Sequence, residues 1–278
     1  MSTGLNDDDS CERVPRSSPK VKTDTTSWTS LPGEIRYLIL EEISSQKYFH
    51  WTSCAAVCKE WKNFIEPRNF GRLKLQPSRL DEPEDMTRRT KSLVQYICLN
   101  IQLPRYDCRY CEGTEPESHT MQSASIIRKA ILGLFSVLST WEPTGRGLTL
   151  ELNAYSPSDS KHWFKNCLFK PDDGDSIRCR QNTKTWHDPK HGWVSGKQVE
   201  APGAEAILRL FSSIHLSRPQ DLPEVRAVTG FVLRRQLRRL ISPQTLYFLW
   251  NKLPRLKSIA YEPWRLGRTL ATSFDKGV

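Results

Sequence analysis

Large apolar side chains are almost absent from residues 1–26, a stretch rich in Ser, Thr, Asp and Lys, and the pattern changes sharply at Trp28. A segment with so little to bury cannot offset its ordering entropy, so residues 1–26 read as a disordered tail. From Trp28 to Phe70 the apolar positions predict three short helices. Pro32 suits the first helical position, where its missing N–H has no intrahelical partner. Glu34 follows in the first turn, where the helix dipole favours an acid. Ile35, Leu38, Ile39 and Ile43 then recur at helical spacing. After a loop at Ser44 to Lys47, a second pattern puts Trp51, Cys54 or Ala55, Cys58, Trp61 and Ile65 on one face, and Pro67 is expected to stop it. A module of about 45 residues holds little core of its own, and domains that small usually need a partner.

Beyond Phe70 the pattern alternates between strand and helix. Leu73 to Leu75 and Val94 to Leu103 read as strands. Ser118 to Trp141 is the clearest helix, with Ile127, Ile131, Leu134, Leu138 and Trp141 on one stripe, ended by Pro143 and Gly145. Leu148 to Tyr155 is a strand, and Ser156 to Asn166 a short helix capped by Ser156 with Pro157 in first place. Residues 170–202 are polar and without period, and read as a long loop. Ala204 to Leu216 reads as a helix with Ile207, Leu210, Phe211 and Ile214 inward, and Val225 to Leu233 as a strand. Ser242 and Pro243 open a helix whose apolar face is Leu246, Leu249, Trp250 and Leu253, and Leu256 to Tyr261 is the last strand. Strands alternating with helices imply parallel pairing through right-handed crossovers. The run Leu253-Pro254-Arg255-Leu256-Lys257-Ser258-Ile259 resembles a degenerate leucine-rich-repeat turn, so the expected architecture is an irregular leucine-rich-repeat-like α/β solenoid rather than a closed domain. No amphipathic helix follows Leu256 to Tyr261, so the chain is expected to stop in mid-solenoid and to self-associate, need a partner, or be a shortened version of a longer protein.

Composition changes this picture little. The chain has 278 residues, with an ordinary balance of 37% hydrophobic and 26% charged positions. No stretch approaches the roughly 20 apolar residues of a membrane helix, and the polar N-terminus lacks the pattern of a signal peptide. These features set the expectation of a cytoplasmic or nuclear protein with no membrane partner. A formal charge of +10 permits acidic or nucleic-acid partners and selects neither. Eight cysteines without a secretory signal are expected to be reduced, with Cys54, Cys58 and Cys98 as small buried hydrophobes.

Residues Trp28 to Leu75 resemble the F-box. The matching residues are Leu31-Pro32, Glu34-Ile35, Ile39-Leu40, then Cys54, Val57-Cys58, Trp61, Ile65 and Phe70. Further on, Ile97 to Leu103, Leu148 to Asp159 and Leu253 to Trp264 are similar to an extended group of fungal F-box proteins whose repeat-like α/β region has no assigned substrate. The resemblance implies a three-helix F-box over residues 27–72 and a substrate-recognition region over residues 73–278. It implies binding to the Skp-type adaptor of a cullin–RING ubiquitin ligase, with recruitment of an unknown protein substrate and no catalysis by the chain itself. Carried over by motif, Leu31, Pro32, Ile35 and Ile39 would meet the adaptor, and Val57 and Trp61 would join them or build the internal core. Two departures stand out: Gly33 in the first turn costs about 0.5–1 kcal/mol of helix propensity, and the stretch Gln46 to Ser53, with His50, stands where a Leu-rich segment is expected.

Other constellations carry less. Cys108 and Cys111 form a C-x-x-C pair, but a structural zinc site needs four ligands and only Cys98 and His119 lie nearby in sequence. No cofactor and no metal are therefore expected, and the two thiols are read as dispensable. Asp172, Asp173 and Asp175 lack the ligand spacing of a calcium loop. His187 and His191 are four apart, but Pro189 and Gly192 argue against a helix holding both. Arg234, Arg235, Arg238 and Arg239 are expected to share one face of a short helical turn, which could read phosphate but is favoured as a solvated surface. The competing function is a basic nucleic-acid-binding α/β protein without ligase association. No catalytic signature is present to support an enzyme.

Overall fold

The computed structural model describes residues 27–46, 51–79, 90–164, 188–211, 213–216, 221–234 and 239–262. The expected disorder of residues 1–26 falls outside them. The chain divides into two compact units, Met1–Glu42 and Ile43–Val278, each described by itself.

In the first unit a 3₁₀ turn at Trp28–Ser30 precedes α1 (Gly33–Gln46), whose last four residues, Ile43–Gln46, belong to the second. The Pro32 carbonyl accepts from the Arg36 N–H at 3.1 Å, so Pro32 stands just ahead of the helix and donates nothing the helix needs. The helix continues through Ser44–Gln46, where a loop was expected, because no Gly or Pro interrupts it there.

The second unit continues with a 3₁₀ turn at Trp51–Ala56 and α2 (Lys59–Phe70). Pro67 lies inside the last turn of α2 and does not stop it: so near the end it forfeits a single backbone bond. In chain order there follow β1 (Arg72–Leu75), β2 (Tyr96–Gln102), α3 (Cys108–Cys111), α4 (Glu117–Ser139), β3 (Leu148–Tyr155), α5 (Asp159–His162), β4 (Trp193–Val194), β5 (Lys197–Gln198), α6 (Ala204–Phe211), β6 (Ser213–Ile214), β7 (Val228–Leu233), β8 (Leu240–Ile241), α7 (Pro243–Asn251) and β9 (Ser258–Tyr261).

The fold is mixed α/β around a parallel five-stranded sheet with the order β1-β2-β3-β7-β9, each strand pairing its neighbour in parallel. The period of two along each strand sorts its residues between two unlike faces. Ile97, Leu99 and Ile101 of β2, Leu148, Leu150, Leu152 and Ala154 of β3, and Phe231 and Leu233 of β7 are buried in one core with Ile127, Ile131, Leu134, Phe135 and Leu138 of α4 and Leu246 and Leu249 of α7. Each Leu, Ile or Phe among them contributes about 1.5–3 kcal/mol on burial. The apolar stripe of α4 is this helix's core face. By length and composition α4 also meets the test for a membrane span, contrary to the expectation above, and its packing accounts for that apolarity.

The other face of the sheet is polar. Glu151, only 4% exposed, accepts from the Tyr96 hydroxyl and faces Arg72 at 3.7 Å and Arg234 at 3.5 Å. Asn153 Nδ2 donates to Asn100 Oδ1 at 2.6 Å across β2 and β3. Burial, with Glu151 reinforcing it, pushes both the Tyr96 hydroxyl and the Cys98 thiol up to about 12.

Several expected elements are corrected. The helix over 204–216 ends at Phe211, because Ser213–Ile214 pairs in parallel with Leu240–Ile241. Inside the expected loop at 170–202, β4 and β5 form an antiparallel hairpin. Cys58 is exposed, and Cys54 and Cys98 are half-buried, not buried hydrophobes. Ser242 does cap α7, its Oγ accepting from the Thr245 N–H.

Gly147 enters β3 at φ +72°, and a Cβ there would lie 2.2 Å from Thr229 Oγ1. Gly147→Ala is expected to cost about 1–2 kcal/mol from the left-handed backbone, plus the clash. Urea unfolding would measure it, and a change within experimental error would contradict the assigned geometry.

Candidate metal centre

Four potential ligands from three separate chain segments converge in the second unit: Cys108, Cys111, His162 and His191, whose donor atoms all lie within 4.8 Å of one another. The expectation that the C-x-x-C pair lacks a full ligand set is thereby overturned. Its partners are not the sequence neighbours Cys98 and His119. Cys98 sits on the sheet beside Glu151, and His119 packs edge-on against Tyr110.

The first segment follows β2. Asp107 caps α3 by accepting from the Arg109 N–H at 3.0 Å, and one helical turn then sets Cys108 and Cys111, three apart, on the same side. Cys111 Sγ also donates to the Cys108 carbonyl at 3.2 Å. The second segment follows β3 and is laced to the first. Ser156 Oγ donates to the Pro104 carbonyl at 2.7 Å, the Tyr106 N–H donates to Ser158 Oγ at 3.0 Å, and the Tyr106 hydroxyl donates to the fully buried Asp159 at 2.8 Å. These bonds fix α5, whose last residue is the buried His162. The third segment pairs with α5: the N–H of Lys190 donates to the Lys161 carbonyl at 2.8 Å, and that of His191 to the His162 carbonyl at 2.9 Å. The hairpin behind it turns through Ser195 (φ 49°) and Gly196 (φ 81°), and the Gly196 N–H donates to the Asp188 carboxylate.

The ligand geometry is close. Cys108 Sγ lies 3.5 Å from His162 Nδ1, and Cys111 Sγ 3.4 Å from His191 Nε2. The imidazoles stack on one another at 5.6 Å, with Tyr106 beyond His162 and Trp163 beyond His191. The His162 ring stacks on Tyr106 at 5.4 Å, an outer contact that helps to orient the imidazole. Burial lowers the His162 pKa, favouring the neutral, ligand-competent imidazole, and raises that of the Cys111 thiol. A bound dication would reverse the latter effect. Lys190 Nζ lies 4.0 Å from Cys108 Sγ, and an open cleft of ≈ 420 Å³ beside the cluster is lined by Arg105, Arg109, Lys161 and Lys190 with Asp107.

Two buried arginines hold the first segment from behind. Arg209 of α6, 1% exposed, donates to the carbonyls of Tyr110, Gly113 (3.1 Å) and Thr114 (3.1 Å) and lies over the Tyr106 ring at 4.4 Å. Arg239 forks onto Glu115 through Nη1 (2.6 Å) and Nη2 (3.0 Å) and also donates to the Arg209 carbonyl. Arg239 therefore belongs to a buried network and Arg234 to Glu151, which corrects the expectation of one solvated arginine face. Arg235 and Arg238 lie outside the described residues, as do Asp172, Asp173, Asp175 and His187.

The residues expected to meet an adaptor fall in both units. In the first, Leu31 and Ile39 are half-buried, Pro32 is exposed, and Ile35 is 43% exposed. Tyr37 and Leu38, absent from the expected set, are exposed as well, Leu38 at 58%. In the second, Val57 is exposed and Trp61 half-buried. Comparison with known proteins brings no further guide: no family model, no curated protein and no solved structure matches the chain.

Proposed function

We propose that the chain is an F-box-type adaptor that docks on the Skp subunit of a cullin–RING ubiquitin ligase and recruits a protein substrate through its α/β region. The observation that carries this reading is the first unit's helix α1, which presents Ile35, Tyr37 and Leu38 to solvent directly after Leu31-Pro32. Ile35 and Leu38, three apart, stand on one side of the helix, and exposed apolar side chains on so short a helical segment mark a place for a partner. The α/β unit suits a recruiting role. Its strands join the sheet in chain order, as in an irregular repeat solenoid, and parallel sheets are usually apolar on both faces, whereas this one keeps a polar face around Glu151, Asn100 and Asn153. Of the four arginines behind the nucleic-acid alternative, Arg234 and Arg239 are engaged by Glu151 and Glu115.

The test is capture of a purified Skp adaptor by the full chain. Leu31→Ala combined with Pro32→Ala is expected to weaken capture at least tenfold, since one buried leucine contributes about 1.5–3 kcal/mol. Cooperative unfolding of the α/β unit should be unaffected. Undiminished capture by this double variant would sink the assignment.

A further inference from the structure

We propose that Cys108, Cys111, His162 and His191 bind a structural Zn²⁺ ion that clasps the segments following β2 and β3 to the β4–β5 hairpin. The donor set is two thiolates and two imidazoles, which selects tetrahedral zinc over the oxygen-loving cations. With Zn–S near 2.3 Å and Zn–N near 2.0–2.1 Å, tetrahedral ligands stand roughly 3.3–3.8 Å apart. The observed cysteine–histidine separations of 3.5 Å and 3.4 Å match, and the remaining pairs, all within 4.8 Å, need only a small contraction. The donor atoms are Nδ1 of His162 and Nε2 of His191, each already turned toward a sulfur.

Charge favours the same conclusion. On binding, the two thiols each lose a proton to solvent, and two thiolates with two neutral imidazoles leave a dication complex of zero net charge. Such a centre can sit against the buried Cys111 and His162 without an uncompensated ion. All four positions are filled by protein, so the centre is closed and serves folding, not catalysis. Its ligands span residues 108 to 191, and the surrounding hydrogen bonds orient them without supplying any covalent tie. The proposal stands independently of the adaptor reading.

The experiment uses the full chain purified with Zn²⁺ under a non-chelating reductant. Metal analysis is expected to find stoichiometric zinc, and X-ray absorption two sulfur and two nitrogen neighbours near 2.3 and 2.0 Å. Cys111→Ser and His191→Ala should lower zinc content at least tenfold, whereas Cys98→Ser and the ligand-conserving His191→Cys should keep it. If the depleted variants do not fold, Co²⁺ substitution of the unaltered chain still decides, through the thiolate-to-cobalt charge-transfer and tetrahedral d–d bands. Absence of stoichiometric zinc and of those bands, zinc retained by both depleted variants, or a Cys108–Cys111 disulfide formed in place of metal binding would each overturn the proposal.

Discussion

Arg239→Met is expected to destabilise the larger unit by about 3–5 kcal/mol, the range for removing one partner of a buried ion pair. The side chains of Arg239 and Glu115 are 2% and 7% exposed and meet through two nitrogen–oxygen contacts. Removing the guanidinium leaves the Glu115 carboxylate buried without its countercharge, and also strips a donor from the Arg209 carbonyl. The origin of the loss can be separated. If desolvation of the orphaned acid dominates, Glu115→Leu placed in the Arg239→Met background should recover much of the stability, because a matched apolar pair is often neutral. Urea unfolding of the four chains of this cycle measures both effects. A single-variant loss below about 1 kcal/mol, the ceiling for most exposed pairs, would show that the pair is not desolvated as described.

A loss of similar size, about 3–5 kcal/mol, is expected for Phe135→Ala. Phe135 is fully buried on α4 and packs in the core shared with Leu99, Leu150 and Phe231. Its removal combines lost transfer energy with a cavity that close-packed neighbours fill only in part. Met121→Ala on the same helix, 66% exposed, is the matched control and should stay within about 0.5 kcal/mol. Equal effects at the two positions would mean that the face of α4 turned to the sheet has been misassigned.

How much of this was legible in the chain differs by element, for physical reasons. Leu148 to Tyr155 and the stripe through Ile127, Ile131, Leu134 and Leu138 were read almost to the residue, because a long periodic run meeting a core leaves little freedom. Parallel pairing followed from the alternation of strands and helices. The short elements were not legible. Trp193-Val194 and Lys197-Gln198 are too brief for any period, and their one local signal was Ser195-Gly196 between them, a pair suited to positive φ. The end of α6 at Phe211 is decided by the pairing of Ser213–Ile214 with a strand beyond it, a long-range contact invisible to local spacing. The same holds for the metal ligands. Cys108 and Cys111 are visible as a pair, but their partners stand dozens of residues further on, and the nearby chain offers only Cys98 and His119. His162 gave no signal of its own. It becomes a ligand because Ser156, Ser158 and Asp159 are tied to Pro104 and Tyr106.

The two backbone bonds that join Lys190 to Lys161 and His191 to His162 have a consequence for how this protein can change. They set Lys161–His162 and Lys190–His191 side by side, so the chain leaves this place and returns to it. Loop-closure entropy grows only with the logarithm of length, about 0.6 kcal/mol for each doubling. Lengthening the chain between Phe164 and Asp188 would therefore add little to the entropy cost of closing it. In lineages that carry this framework, a change of chain length at that point would leave the Lys161–Lys190 and His162–His191 backbone pairing geometrically possible.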